Sequence, residues 1–136
     1  MKKLTLSVLF ILQSLWSLAQ TEEQLIQHCI QRYLVGTSYS MPDSISSAFY
    51  TEANLFLSSK DKPVWIMPAA DYAKLFKKED EGKFNGRIGR IVSIDIYNDI
   101  ATAKAEILIP ERKLEFMDIF LLKKISGEWK IISKAA

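Results

Sequence analysis

The chain has 136 residues with 18 basic and 16 acidic side chains, a single histidine and a single cysteine. This length suits one domain with its own core, the near-balanced charge excludes a polyanion-binding surface, and a lone cysteine excludes an internal disulfide. Residues 1–19 read as a signal peptide: Met1-Lys2-Lys3 is a basic start, 4–18 an apolar run too short for a confident membrane span, and Ser17-Leu18-Ala19 a cleavage pattern. Cleavage before Gln20 predicts an exported chain, periplasmic or secreted, with residues 20–136 as a single domain and no membrane attachment afterwards. Removal of Lys2 and Lys3 leaves 16 basic against 16 acidic residues, and nothing in this balance calls for a nucleic-acid partner.

Residues 21–35 carry Leu25, Ile26, Cys29, Ile30, Tyr33 and Leu34 at helical spacing. Thr21 is placed to cap this helix, with Gln24 at the capping-box position and Glu22 and Glu23 in the first turn. Cys29 reads as a small buried apolar residue, and His28 has no companions at metal-ligand spacing. Gly36 is expected to end the helix. Met41-Pro42-Asp43 opens a short second helix running through Phe49. Leu55-Phe56-Leu57 and Val64-Trp65-Ile66-Met67 form a hairpin around a turn at 60–63. Pro68 then begins a third helix with Tyr72, Leu75 and Phe76 facing inward.

The last third reads as four antiparallel strands in a meander, with loops at Asn98-Asp99, 110–113 and Ser126-Gly127. Those loops set the register, since directly opposed residues share a face. Ile96 then opposes Ala101, Ile94 opposes Ala103, Val92 opposes Ala105, and Arg90 opposes Ile107. On the next pair Ile107 opposes Phe116, Ala105 opposes Asp118, Ala103 opposes Phe120, and Ala101 opposes Leu122. Leu122 opposes Ile131 and Lys124 opposes Trp129. One face is thus apolar except for Asp118 and Arg90, which are expected to pair across Ala105. The other is mostly polar, with Ile91, Ile119 and Leu121 as apolar exceptions, a mixture suited to a modest interface. Helices covering one face of such a sheet define an α+β domain.

Several segments carry a family resemblance. These are Tyr33-Leu34-Val35-Gly36, Ala48-Phe49-Tyr50, Arg90-Ile91-Val92-Ser93-Ile94-Asp95, Ala101-Thr102-Ala103-Lys104-Ala105-Glu106, Asp118 followed by Leu121-Leu122-Lys123, and the segment Gly127-Glu128-Trp129-Lys130-Ile131-Ile132-Ser133-Lys134. With the order of elements, they make the chain resemble the nuclear transport factor 2-like superfamily, and within it the "putative lumazine-binding" and SnoaL-like groups. The resemblance implies a cystatin-like cone, a curved antiparallel sheet wrapped around a long N-terminal helix. It also implies an apolar pocket, here with Tyr33, Phe49, Trp65, Tyr72, Arg90, Asp118 and Phe120 around an unknown small molecule, and pairing into a homodimer through the outer sheet face. No cofactor is implied.

Isomerases and dehydratases of this superfamily use acid–base chemistry, for which Asp118 is the candidate carboxylate and Tyr33, Tyr50 or Tyr72 candidate donors. The single histidine offers no Asp-His pair, and the early strand offers only Glu52 and Asn54. Asp118 therefore reads as a structural ion-pair partner, a ligand contact or an acid–base group. The favoured function is an exported small-molecule-binding protein, with a cone-type acid–base enzyme using Asp118 and a homodimeric protein–protein module as the alternatives. An open pocket favours the first two, and a cone filled by its own side chains favours the third.

Overall fold

In a computed structural model of the protein, residues 20–136 are described, so the signal peptide expected over residues 1–19 lies outside the described residues. The elements are α1 (Glu22–Ser38), α2 (Pro42–Ala48), β1 (Phe49–Ser59), β2 (Lys62–Pro68), α3 (Ala69–Ala73), β3 (Ile88–Tyr97), β4 (Ile100–Ile109), β5 (Leu114–Ile125) and β6 (Glu128–Ala135). The strands form one six-stranded sheet in the order β2-β1-β6-β5-β4-β3. The sheet is not wholly antiparallel, because β1 and β6 run parallel and join the hairpin to the meander. No helix among the described residues is long and apolar enough to cross a membrane.

The start of α1 follows from its sequence. Thr21 Oγ1 accepts from the Gln24 backbone N–H at 3.2 Å, and the Gln24 side chain accepts from the Thr21 N–H at 3.0 Å. Its inner stripe of Ile26, Cys29, Ile30, Tyr33 and Leu34 is buried against the sheet. Gly36 does not end the helix, which continues to Ser38. Its role is close approach: a Cβ at Gly36 would lie 2.7 Å from Ile45 Cγ1 and 3.0 Å from the Ile45 nitrogen. The bare backbone lets α2 fold back onto α1. Phe49 leaves α2 and opens β1, and α3 is a single short turn that buries Tyr72 and ends at Ala73, so Leu75 lies beyond it and is exposed rather than inward.

The register agrees with the loop-based reading throughout β4–β5, where Ala105 faces Asp118 and Ala103 faces Phe120. Leu122–Ile131 and Lys124–Trp129 also stand as expected on β5–β6. Two bulges change the rest. On β3 the ladder slips between Ile91 and Ser93, so Ile91 rather than Val92 faces Ala105 and Gly89 rather than Arg90 faces Ile107. Val92 is consequently exposed, and Ile91 packs on the core instead of lying on the outer face. Gly89 is needed at its new place, since a Cβ there would meet Leu34 of α1 at 2.6 Å. On β6 the ladder slips so that Leu121 faces Ser133 and Phe120 faces Lys134, with Ile132 as the extra residue. Strict alternation from Ile131 would have turned Ser133 inward and Lys134 outward.

Candidate functional site

Inside the cone, α1, β5 and β6 bring three polar side chains onto one spot. Asp118 is fully buried, Tyr33 likewise, and Lys134 is 2% exposed. Lys134 Nζ donates to Asp118 Oδ1 at 2.5 Å, while Tyr33 Oη donates to Oδ2 at 2.8 Å. Arg87, just before β3, completes the group, its Nη2 donating to Asp118 Oδ2 and to Tyr33 Oη, each at 3.2 Å. The Tyr72 hydroxyl lies 3.5 Å from that of Tyr33. Aromatic rings enclose the polar atoms. Phe120 and Phe49 meet the Tyr33 ring edge-on at 5.3 Å and 5.7 Å, and Tyr72 stacks on it at 6.3 Å. The Arg87 guanidinium also lies over Phe116, 5.3 Å from its centroid.

Five of the seven residues expected at the pocket are placed in or against this cluster: Tyr33, Phe49, Tyr72, Asp118 and Phe120. Arg90 is not among them. The β3 bulge turns it onto the outer face, where it pairs with Glu106 at 2.8 Å and its side chain is 68% exposed. Trp65 is half-buried opposite Leu57 on the edge strand and stands apart from these contacts. Tyr50, Glu52 and Asn54 are exposed. Arg87 and Lys134 supply the cations instead. Arg87 sits three residues before the predicted partner, an odd offset, and so the position of a bulge decides which arginine points inward. Lys134 had no signal in the strand pattern.

The electrostatics follow from burial. The cluster sets two cations against one carboxylate, so it is positive overall, and the Arg87 Nε is buried without a hydrogen-bond partner among the described residues. Desolvation holds the Lys134 ammonium below its ordinary value of 10.5, with Asp118 pulling the other way. Desolvation, then Tyr72 and Asp118, pushes the Tyr33 phenol well above 10.0, and desolvation raises Tyr72 also. Cys29, 1% exposed, has its thiol raised by burial and behaves as a core residue. Among the described residues no three His, Cys, Asp or Glu side chains converge as metal ligands.

These shifts set a pH dependence. Between Lys134's folded value and 10.5 the unfolded chain binds the extra proton, so stability rises with pH there. Above 10.0 the unfolded tyrosines ionise while the buried Tyr33 and Tyr72 hold their protons, so stability falls. Urea unfolding across a pH series is expected to show a maximum on the alkaline side, and Lys134→Met is expected to remove the rising limb while keeping the falling one. A Lys134→Met profile with the rising limb intact would refute this origin.

A long N-terminal helix packed on a curved α+β sheet in this way is the fold of the nuclear transport factor 2-like superfamily, and solved structures agree. A nuclear transport factor 2-like protein of unknown function from Methylobacillus flagellatus KT aligns with TM-score 0.72 and 25% identity over 88% of this chain and 93% of its own. One from Shewanella baltica OS155 aligns with TM-score 0.72 and 22% identity over 86% and 95%. A structure described as a putative ketosteroid isomerase, from Shewanella frigidimarina NCIMB 400, aligns with TM-score 0.59 and 15% identity over 82% and 93%, a likeness of fold alone. A comparison with curated proteins finds no match. The family model described as "Putative lumazine-binding" matches residues 21–135, and the chain belongs to that family.

Proposed function

We propose that the chain is an exported small-molecule-binding protein whose ligand is read by the Asp118–Tyr33–Arg87–Lys134 cluster. The observation that carries this is the cluster itself. An apolar core of the same volume is often as stable as a buried ion group or more so, and strongly perturbed groups inside a fold tend to mark function. The family's description supports a small-molecule ligand. Tyr33, Phe120 and Asp118 fill the cone with the chain's own side chains, the arrangement expected of a protein–protein module rather than of an open pocket. A ligand therefore binds here only by displacing the less enclosed members, Tyr72 and Arg87. Arg87 also lines a groove of about 200 Å³ with Leu34, Tyr39 and Phe84, which offers the approach.

Binding is favoured over acid–base catalysis by Asp118. Its oxygens accept from Lys134, Arg87 and Tyr33, and a general base needs a lone pair free to reach a substrate proton. Native mass spectrometry of protein purified from its own host is expected to show a bound small molecule that Arg87→Ala releases. A ligand-free spectrum, or a ligand retained equally by Arg87→Ala, would rule the reading out. The same protein is expected to begin at Gln20, and a retained Met1 would exclude export by cleavage.

A second property rests on the outer face. Phe56 lies between Ile66 on β2 and Ala135 on β6, and Ala135 in turn opposes Ile119 on β5. With Val64, Met117 and Leu121 these make a continuous apolar band, in which Val64 and Ile66 are 61% and 60% exposed. A band of this kind on a small domain suits pairing with a second copy. Light scattering at micromolar concentration is expected to report a dimer that Ile119→Lys dissociates, and a wild-type monomer would sink the idea.

A further inference from the structure

On the side of α1 that faces away from the cone lies a separate groove of about 520 Å³, within the range of small-molecule sites. Leu25, His28, Gln31, Arg32 and Val35 form one wall at helical spacing, Ser44 of α2 closes one end, and Gly127, Glu128 and Trp129 of the β5–β6 turn form the other wall. Arg32 and Tyr33 are consecutive, yet Tyr33 enters the cone while Arg32 lines this groove, so this groove and the buried cluster share a helix and no side chain, and only Gln31 and Val35 border both this groove and the one beside Arg87.

Arg32 is the anomaly. Its Nε is buried and has no hydrogen-bond partner, and no carboxylate among the described residues lies within ion-pair distance of its guanidinium. The one acid on the rim, Glu128, is 69% exposed and already turned to Lys130 at 3.4 Å. Arg32 lies beside the Cys29 thiol, a weak acceptor without charge, and the Ser44 and Trp129 groups are already engaged elsewhere. The Ser44 hydroxyl is spent on the Arg32 carbonyl at 2.8 Å, and the Trp129 indole N–H on Glu22 Oε2 at 2.6 Å. His28 is exposed, with Nδ1 3.4 Å from the Gln20 amide. A buried donor without an acceptor is costly, and a planar guanidinium is shaped to receive a carboxylate through two parallel bonds.

We propose that this groove is a second binding site, for a small monocarboxylic acid with an aromatic or branched apolar body. The carboxylate accepts from the terminal amino groups of Arg32, which lines the groove, while Nε stays covered, and the apolar body lies between Leu25, Val35 and the Trp129 ring. A single cation in mostly apolar walls matches one negative charge, whereas a phosphate would bring more charge than Arg32 neutralises.

The test uses protein purified from cells expressing the full-length chain, with 2-naphthoate as probe and 2-naphthalenemethanol as its uncharged counterpart. Nuclear magnetic resonance titration is expected to shift the Arg32 Nε–H and Trp129 indole signals with 2-naphthoate, saturably, and to leave the cone signals of Tyr33 and Lys134 in place. The alcohol and the Arg32→Gln variant are each expected to bind at least about tenfold more weakly. Arg32→Lys, which keeps the charge without the fork, is expected to fall between, and guards against a folding defect in Arg32→Gln. Equal affinity for acid and alcohol, unchanged affinity in Arg32→Gln, shifts confined to the cone, or no saturable shift at millimolar probe would each overturn the proposal.

Discussion

Replacing Asp118 by alanine is expected to destabilise the domain by about 3–5 kcal/mol, the range found when one partner of a buried ion pair is removed. The reason is what remains. Lys134 at 2% exposure and Arg87, whose side chain is 12% exposed, would face each other across the vacated space without a carboxylate. Tyr33 would lose the acceptor of its hydroxyl as well. Asp118→Asn keeps the shape and two acceptor positions on one oxygen, and is expected to cost less. The loss in Asp118→Ala should also shrink as the pH is raised, because without Asp118 the Lys134 ammonium sheds its proton more readily in the folded state. Urea denaturation of the three proteins at several pH values measures all of this. A loss within experimental error for Asp118→Ala would mean that the cluster is solvated in solution.

The second large effect is expected at Phe120. This ring is fully buried and meets Tyr33 edge-on, so Phe120→Ala removes both an apolar ring and the wall that holds the phenol in line with Asp118. A loss of about 3–5 kcal/mol is expected, as for other buried Phe-to-Ala changes. Phe116→Ala is the control: its ring is half-buried, and its main partner is the Arg87 guanidinium, so a smaller loss is expected. Equal losses at the two positions would show that Phe120 has no special place in the core.

The sequence made the architecture legible wherever loop chemistry and alternation agreed. Pro110 to Lys113 and Ser126-Gly127 set the pairings around β5 correctly, and with them the inward position of Asp118 and Phe120. The capping box and inner stripe of α1 were equally readable, because they rest on short-range spacing. Tyr33 was expected near Asp118, but the cations that pair with it were not. A bulge adds one residue to one strand without a compositional mark, and each bulge reverses the facing of everything beyond it. At Val92 it sent Arg90 to the surface and left the inward place to Arg87; at Ile132 it brought Lys134 into the core. Gly36 misled for a related reason. A glycine near a helix end suits a cap, but this one is fixed by the approach of Ile45, a contact that no local pattern shows.

The place of β6 between β1 and β5 has a consequence for the order of events in folding. Tyr33 and Asp118, 85 positions apart, meet on a sheet whose central strand is the last strand in sequence. Until β6 arrives, the hairpin β1–β2 and the meander β3–β5 are two half-sheets with open inner edges, and Asp118 lacks Lys134. Insertion of that strand joins the halves, completes the sheet and gives Asp118 its second cation beside Arg87. Long-range closure of this kind is slow compared with helix or hairpin formation. The sheet is therefore completed as a whole rather than maturing from one end of the chain.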